Sequence, residues 1–266
     1  MANNSDTFPN AVEAVVLVGA LFLAEYVVAR LLYDMQGVLE MDYRDLGALI
    51  MVLGNGCVFT ILMHYKGLGY RELFHASPSS MAATALLLVP AILLTIPILL
   101  LVTEAVGSLL VSLFPLSNWE SEAFADMVSG SFSSIVATCI LAPVLEEMLF
   151  RGIILRSFLR QYSRWAAIVG SAALFGFAHM NLYQYVTGVI LGVFLGWLYE
   201  RSRSLLPCIA LHAAYNTGCT LAALGADSGA DSSAGDLSSW TAALLLGGAG
   251  ILMLRRVLLA PKRRTA

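Results

Sequence analysis

Two adjacent glutamates, Glu146 and Glu147, lie inside a segment that is otherwise apolar. A carboxylate in hydrocarbon costs at least ~2.5–3.5 kcal/mol, so an ionisable group there usually has a partner, a cavity and a function. A carboxylate that faces water in such a cavity can act as a general base or carry protons. The functional site is therefore expected at this pair.

Helical spacing separates the roles of the two glutamates. Glu147 and Arg151 are four residues apart and can form an ion pair on one helical face. Glu146 and Arg151 are five residues apart, so their side chains diverge by about 140°. We expect Arg151 to hold Glu147 in a structural ion pair, and Glu146 to face a water-containing cavity.

Three further polar side chains lie in or at the ends of other apolar segments. His179 follows Phe175 by four residues near the end of one apolar segment, and His212 precedes Asn216 by four residues within a later one. Because residues at i and i+4 share a helical face, His212 and Asn216 can direct N–H donors toward one point. Taken singly, each is typical of a packing residue, but together with the two glutamates they indicate a functional site.

The composition predicts the elements that must position these residues. Of 266 residues, 59% are hydrophobic and 12% are charged, with a mean hydropathy of +0.79, against roughly 25% charged in a soluble domain. We predict a single all-α membrane domain over residues 1–266, a polytopic bundle of about eight transmembrane helices. The expected spans lie near 12–33, 46–65, 81–103, 127–152, 165–181, 183–200, 204–224 and 239–260. The apolar segment 105–115 is either a short interfacial helix or an extension of the third span.

Prolines and glycines predict how these helices pack. Pro143 lies in the fourth span, and we expect a kink where a neighbouring helix satisfies the freed carbonyl. The sixth span carries small residues at four-residue spacing, which let another helix approach closely. These are Gly188, Gly192 and Gly196, and we expect packing within the bundle rather than a dimer interface.

The distribution of charge predicts the topology. With both termini in the cytosol, thirteen of the fifteen basic residues fall on the cytosolic side, and only Arg30 and Arg44 fall outside. The outer loops are acidic, and the last of them, near 225–239, is rich in serine and glycine and expected to be mobile. We predict a multi-pass protein with both termini cytosolic, in the plasma membrane if the source is bacterial. The net charge of −3 offers no broad basic surface for nucleic acid.

The order of the motifs resembles a known family. The patterns are Glu146-Glu147-x-x-x-Arg151, Phe175-x-x-x-His179 and His212-x-x-x-Asn216. In this order they resemble the three motifs of the CPBP intramembrane proteases, which include the CAAX prenyl endopeptidases and bacteriocin-processing or immunity relatives. The resemblance covers a core of about residues 125–220.

The resemblance implies a role for each matching residue. It implies that Glu146 and His179 activate a water molecule and that His212 and Asn216 form an oxyanion hole. It gives supporting roles to Glu147, Arg151 and Phe175. The implied protein is a glutamate-dependent intramembrane endopeptidase that acts, within the bilayer, on a membrane-associated, peptide or prenylated protein substrate. The residue chemistry is compatible with this, because peptide hydrolysis needs a base for water and donors for the oxyanion.

A zinc centre is the first alternative. Glu146, His179 and His212 are residue types that bind catalytic zinc, but the sequence lacks H-E-x-x-H and asparagine is a poor zinc ligand. We therefore expect no metal, and the sequence contains no phosphate-binding glycine motif that would indicate a nucleotide cofactor.

Two alternatives come from other functional classes. Buried glutamates and histidines also form proton relays in transporters, although only Glu25 and Asn55 offer polar candidates in the first three spans. We interpret these two as local hydrogen-bonding or packing residues. The other alternative is a catalytically idle immunity or scaffold protein on the same fold.

Overall fold

The computed structural model describes residues 7–35, 43–127, 131–227 and 237–259. These residues form ten helices in an all-α membrane bundle, as the composition predicts. We number them α1 Ala11–Asp34, α2 Tyr43–Lys66, α3 Tyr70–Phe74, α4 Met81–Leu113, α5 Asn118–Met127, α6 Phe132–Gln161, α7 Arg164–Phe177, α8 Leu182–Ser202, α9 Leu206–Asp227 and α10 Leu237–Leu258. The segment 105–115 is mostly the end of α4 rather than a separate interfacial helix.

The described part of the chain contains six helices that are long and apolar enough to cross a membrane, against the eight expected. They are α1, α2, α4, α6, α8 and α10. Each of the eight expected segments corresponds to a helix among the described residues, but α7 has only 14 residues and α9 contains His212 and Asn216. The two helices that fall short are the ones that carry or precede the histidine motifs, because the polar residues and turns of a site lower the hydropathy and shorten the helix.

The helices pack in three main groups. α1 packs against α2, α7 packs against α8, and α4 packs against both α9 and α10. The glycines of α8 contact α7: a Cβ at Gly192 would lie 2.9 Å from the Cβ of Ala172, and one at Gly188 would lie 3.2 Å from the Cα of Gly176. The expected role of these glycines in packing within the bundle is therefore confirmed.

Helix α6 alternates between α-helical and π-helical hydrogen bonding along its length. Two π-helical stretches, Ala137–Leu141 and Met148–Leu155, flank the α-helical stretch Ala142–Glu147. Every residue of the second stretch is buried. Such π turns are rare and are often found at functional sites, and here they bracket the two glutamates.

Several connections meet at one end of the bundle. Arg156 pairs with Glu72, the N–H of Ala76 donates to the carbonyl of Arg203, and Gln161 Nε2 donates to the carbonyl of Thr7 at 2.6 Å. The N-terminal segment and the connections before α4, after α6 and after α8 are thus adjacent, as they are in the predicted topology. Most of the serine-rich loop and the C-terminal residues after 259 lie outside the described residues.

Candidate active site

The backbone of α6 explains why Asn216 faces this helix. The N–H of Ala142 donates to the carbonyl of Ala137, five residues back. The next donor in this register would serve the carbonyl of Thr138, but it belongs to Pro143, which has no N–H. Asn216 Nδ2 supplies the donor instead, at 2.9 Å from Thr138 O. A neighbouring helix therefore satisfies the carbonyl that the proline leaves free, as predicted, and the amide orientation of Asn216 is fixed because a carbonyl only accepts.

Glu147 and Arg151 form the expected ion pair in the fully buried core. Arg151 Nη1 lies 3.1 Å from Glu147 Oε1, and both side chains are essentially without solvent exposure. Arg151 Nη2 also donates to the carbonyl of Gly192 at 3.2 Å, and the guanidinium lies 4.5 Å from the centre of the Phe175 ring. The pair thus joins α6 to α7 and α8, while Glu147 Oε2 and Arg151 Nε are buried without a hydrogen-bond partner among the described residues.

Glu147 has a second partner that the sequence did not reveal. His212 Nδ1 lies 2.9 Å from the same Oε1 of Glu147, while His212 Nε2 lies 3.7 Å from Glu146 Oε2. Because a carboxylate paired with arginine is an acceptor, His212 Nδ1 carries the proton of this hydrogen bond. His212 can then donate from Nε2 only as an imidazolium.

His179 lies in a turn rather than inside a helix. The helix was expected to reach residue 181, but α7 ends at Phe177, and Met180 adopts a positive φ of 57°. His179 Nδ1 is 2.9 Å from the carbonyl of Phe175, so Nδ1 donates and Nε2 is an acceptor when the ring is neutral. Asn181, which caps the next helix, donates to the carbonyl of His179 at 2.9 Å and fixes the turn.

Phe175 contacts both histidines of the candidate site. Its ring is 1% exposed and makes edge contacts with His179, at 5.1 Å between ring centres, and with His212, at 5.6 Å. With Arg151 over the same ring, Phe175 packs against three polar side chains whose orientation is also fixed by hydrogen bonds. This contact set is compatible with the supporting role that the resemblance implies.

The four residues expected to do the chemistry line one cavity of about 580 Å³. Glu146, His179, His212 and Asn216 reach it from α6, the α7–α8 turn and α9. The side chain of Glu146 is 32% exposed, whereas that of Glu147 is not exposed. Glu146 thus faces a cavity, as its spacing from Arg151 predicted.

A second cavity, of about 150 Å³, contains a polar pair whose mutual contact the sequence did not predict. Glu25 on α1 and Asn55 on α2 both line it, together with Glu146 and His179. Asn55 Nδ2 donates to Glu25 Oε1 at 2.8 Å. The expected hydrogen-bonding role is confirmed, but the two residues bind each other across α1 and α2 rather than acting singly. The signal was a polar residue in each of two apolar spans, but their sequence separation of 30 residues did not indicate the contact.

The zinc alternative was a set of Glu146, His179 and His212. Within the described ranges, no three His, Cys, Asp or Glu side chains are grouped closely enough to hold a metal ion. The absence of a metal from the reaction stays a prediction.

The family comparison covers the same part of the chain. Residues 128–218 match a family model described as type II CAAX prenyl endopeptidase Rce1-like. The chain is 27% identical over 97 residues to "Putative membrane peptidase YdiL" of Bacillus subtilis (strain 168). It is 35% identical over 83 residues to "UPF0177 protein YaiF" of Lactococcus lactis subsp. lactis (strain IL1403). The resemblance indicated by the three motifs is confirmed.

These matches are partial. They cover 36% and 31% of this chain, and the chain spans 40% and 37% of the length of the two relatives. No solved structure matches the chain significantly. The comparisons support a multi-pass membrane protein with a protease-like core.

Proposed function

We propose that this protein is an intramembrane endopeptidase that hydrolyses a peptide bond with water activated by Glu146. The observation that carries the proposal is the single cavity that Glu146, His179, His212 and Asn216 line together. Its volume lies within the range of roughly 300–1,000 Å³ that is usual for ligand sites. The match to a peptidase family supports the same reaction class.

The first step is attack of water on the scissile carbonyl. Glu146 takes a proton from the water, and His179, with its Nδ1 proton committed to Phe175, offers Nε2 as an acceptor that orients the same water. The water oxygen bonds to the carbonyl carbon, and the carbonyl oxygen becomes negative.

The second step is stabilisation and collapse of the tetrahedral intermediate. One N–H of Asn216 is engaged by Thr138, which leaves the other for the oxyanion. His212 contributes an Nε2 donor in its imidazolium form, with Glu147 as the partner of Nδ1. Glu146 then returns its proton to the leaving nitrogen as the C–N bond breaks.

The substrate class follows from where the cavity lies. Its walls are mixed, with apolar residues beside polar ones such as Gln184 and Tyr215, and the helices around it are those of a membrane bundle. We propose a membrane-associated protein or peptide, and a prenylated C-terminal peptide is one member of that class.

The test is cleavage by the purified protein in lipid vesicles. Membrane-anchored reporter peptides, with and without a prenyl group, should yield a matching pair of product fragments. Glu146→Gln should abolish them, whereas Glu104→Gln, the same change at an exposed glutamate of α4 that lines neither cavity, should leave the rate unchanged. Cleavage that survives Glu146→Gln would refute the proposal.

The proton-coupled transporter is the second candidate, and one observation favours it. Glu25, Asn55, Glu146 and His179 line a common cavity across α1, α2, α6 and the α7–α8 turn, which is the kind of polar path that a proton relay needs. Vesicles with an imposed pH gradient distinguish the two candidates, because a transporter would dissipate the gradient in a Glu146-dependent way without producing peptide fragments.

A further inference from the structure

We propose that Glu25 and Asn55 form a water-holding site beside Glu146 and so act as positioning residues for the hydrolytic water; this inference rests on the proposed endopeptidase function. Neither residue belongs to the three motifs, and the pair lies on α1 and α2, outside the matched range 128–218. A charged residue and a buried amide in two membrane helices need a physical reason.

The two cavities share the residues assigned to water activation. Glu146 and His179 line both cavities, whereas His212 and Asn216 line only the larger one. The smaller cavity therefore contacts the base and its partner but not the oxyanion donors. This division gives water a place beside Glu146 that is separate from the volume that a peptide would occupy.

The smaller cavity suits water in size and in chemistry. Its volume of about 150 Å³ is at least about ten times the ~10–15 Å³ that one water requires. A buried water needs two to four polar partners, and Glu25, Asn55, Glu146 and His179 provide them among otherwise apolar walls. In a protein surrounded by lipid, such a store keeps a reactant at the site that the bilayer would otherwise exclude.

The backbone of α2 is adapted to this arrangement. A Cβ at Gly54 would lie 2.5 Å from Glu25 Cγ and 3.1 Å from Glu25 Cα. The glycine thus allows the side chain of Glu25 to cross α2 and reach Asn55, which is 4% exposed. Gly56 lies two residues further along the same helix, and a Cβ added there would have no atom within 4 Å.

The kinetic test compares two substitutions of one residue. Glu25→Gln keeps an oxygen for Asn55 and a group that binds water, so we expect turnover close to that of the unmodified protein. Glu25→Leu removes both, and kcat should fall tenfold or more, toward the ~10²-fold loss seen for a misplaced reactant, with KM unchanged. Equal losses in both variants would mean that Glu25 transfers a proton, and no loss in Glu25→Leu would mean that it has no role; either result overturns the proposal.

The glycines supply a matched pair that leaves Glu25 itself intact. Gly54→Ala should displace the Glu25 carboxylate and reproduce the kcat loss of Glu25→Leu, whereas Gly56→Ala should have no effect. Melting temperatures of all variants identify any that fail to fold. If Glu146→Gln is inactive while Gly54→Ala and Glu25→Leu are fully active, the endopeptidase proposal stands and the water site is refuted.

A second measurement detects the water without using activity. Leu21 is buried and lines the smaller cavity only, whereas Leu17, one turn away, is buried and lines neither of the two. Hydroxyl-radical footprinting should oxidise Leu21 but not Leu17, and Glu25→Leu should reduce the oxidation of Leu21. Equal protection of both leucines in the unmodified protein would contradict a water-holding cavity.

Discussion

At the scale of single residues, one oxygen atom of Glu147 connects the buried ion pair with Arg151 to His212, a residue proposed to take part in the reaction. Oε1 accepts from Arg151 at 3.1 Å and from His212 at 2.9 Å. The helical spacing predicted the first contact. It did not predict the second, because His212 comes from a helix 65 residues later and only the tertiary fold brings it to Glu147.

Glu147→Gln should therefore destabilise the protein, and Glu146→Gln should not. The first change leaves the buried charge of Arg151 uncompensated, which typically costs about 3–5 kcal/mol. The second affects a side chain that is already 32% exposed to a cavity. Thermal unfolding in detergent measures both, and cleavage assays should find Glu146→Gln inactive although it is folded.

The double variant Glu147→Gln with Arg151→Met provides the control for this prediction. Removing both charges of a buried pair is often close to neutral, so the double variant should regain part of the stability that Glu147→Gln loses. An equal drop in melting temperature for Glu146→Gln and Glu147→Gln would contradict the division of roles.

Asn216→Ala should lower turnover by ~10²–10³ with little change in KM, because the lost donor acts mainly on the oxyanion. Asn216→Asp should be at least as damaging, since a carboxylate would repel both the oxyanion and the carbonyl of Thr138. Thr217→Ala, on the same helix but not lining the cavity, is the matched control. Rates of all three variants with the same reporter peptide check the prediction.

The same variants test the zinc alternative. A carboxylate at position 216 could serve as a metal ligand. An Asn216→Asp protein that is active and loses its activity to a strong chelator would replace the oxyanion assignment with a metal site.

At the scale of elements, the contact between α7 and α8 positions the Phe175–His179 motif and one partner of Arg151. The glycines of α8 lie directly against α7, and Gly192 also supplies the carbonyl that binds Arg151. Spacing in the sequence predicted that some helix of the bundle would pack closely on this face, since three small residues at four-residue intervals form one face, but it did not identify α7 as the partner. The end of α7 was not predicted, because the turn at Met180 depends on the cap formed by Asn181.

Gly192→Ala should push these two helices apart and reduce both stability and activity. Its Cβ would lie 2.9 Å from Ala172 Cβ and 3.1 Å from Ala172 Cα, and overpacking of this kind typically costs about 1–3 kcal/mol. Gly107→Ala, which has no atom within 4 Å of the new Cβ, controls for the change of residue type. Unchanged melting temperature and turnover in Gly192→Ala would show that the contact is not limiting.

Helix α6 illustrates what sequence alone predicts of an element. Pro143 indicated that a carbonyl would need a partner from another helix, and Asn216 is that partner. The two π-helical stretches and the identity of Thr138 as the acceptor were not predictable from composition, because they depend on the register that the packed helix adopts.

At the scale of the whole molecule, several connections between helices lie together at one end of the bundle. The charge distribution assigns these same connections to the cytosol. The fold class was predictable because hydropathy dominates the composition. The number of spans was less predictable, because the polar residues of a site lower the hydropathy of the helices that carry them. The Glu25–Asn55 contact also required the fold, because it depends on how α1 and α2 pack.

Cysteine labelling should locate the two sides. After the four native cysteines are replaced, an impermeant thiol reagent added to intact cells with the protein in the plasma membrane should modify Glu122→Cys and Asp231→Cys but spare Lys262→Cys. Permeabilised cells provide the control, since all three positions should then react. Protection of Asp231→Cys with labelling of Lys262→Cys would reverse the orientation.

The shortness of α7 has a consequence for the lipid around it. Fourteen residues rise about 21 Å, which is less than the ~30 Å of hydrocarbon in a typical bilayer. Trp165 and Phe177, near its two ends, are both exposed on the surface of the bundle. We expect the lipid tails beside this helix to compress, at a cost of a fraction of a kcal/mol per Å of mismatch. Turnover in vesicles of short-, medium- and long-chain phosphatidylcholine should therefore fall as the bilayer thickens, and a rate independent of acyl-chain length would show that the membrane adapts to α7 without affecting catalysis.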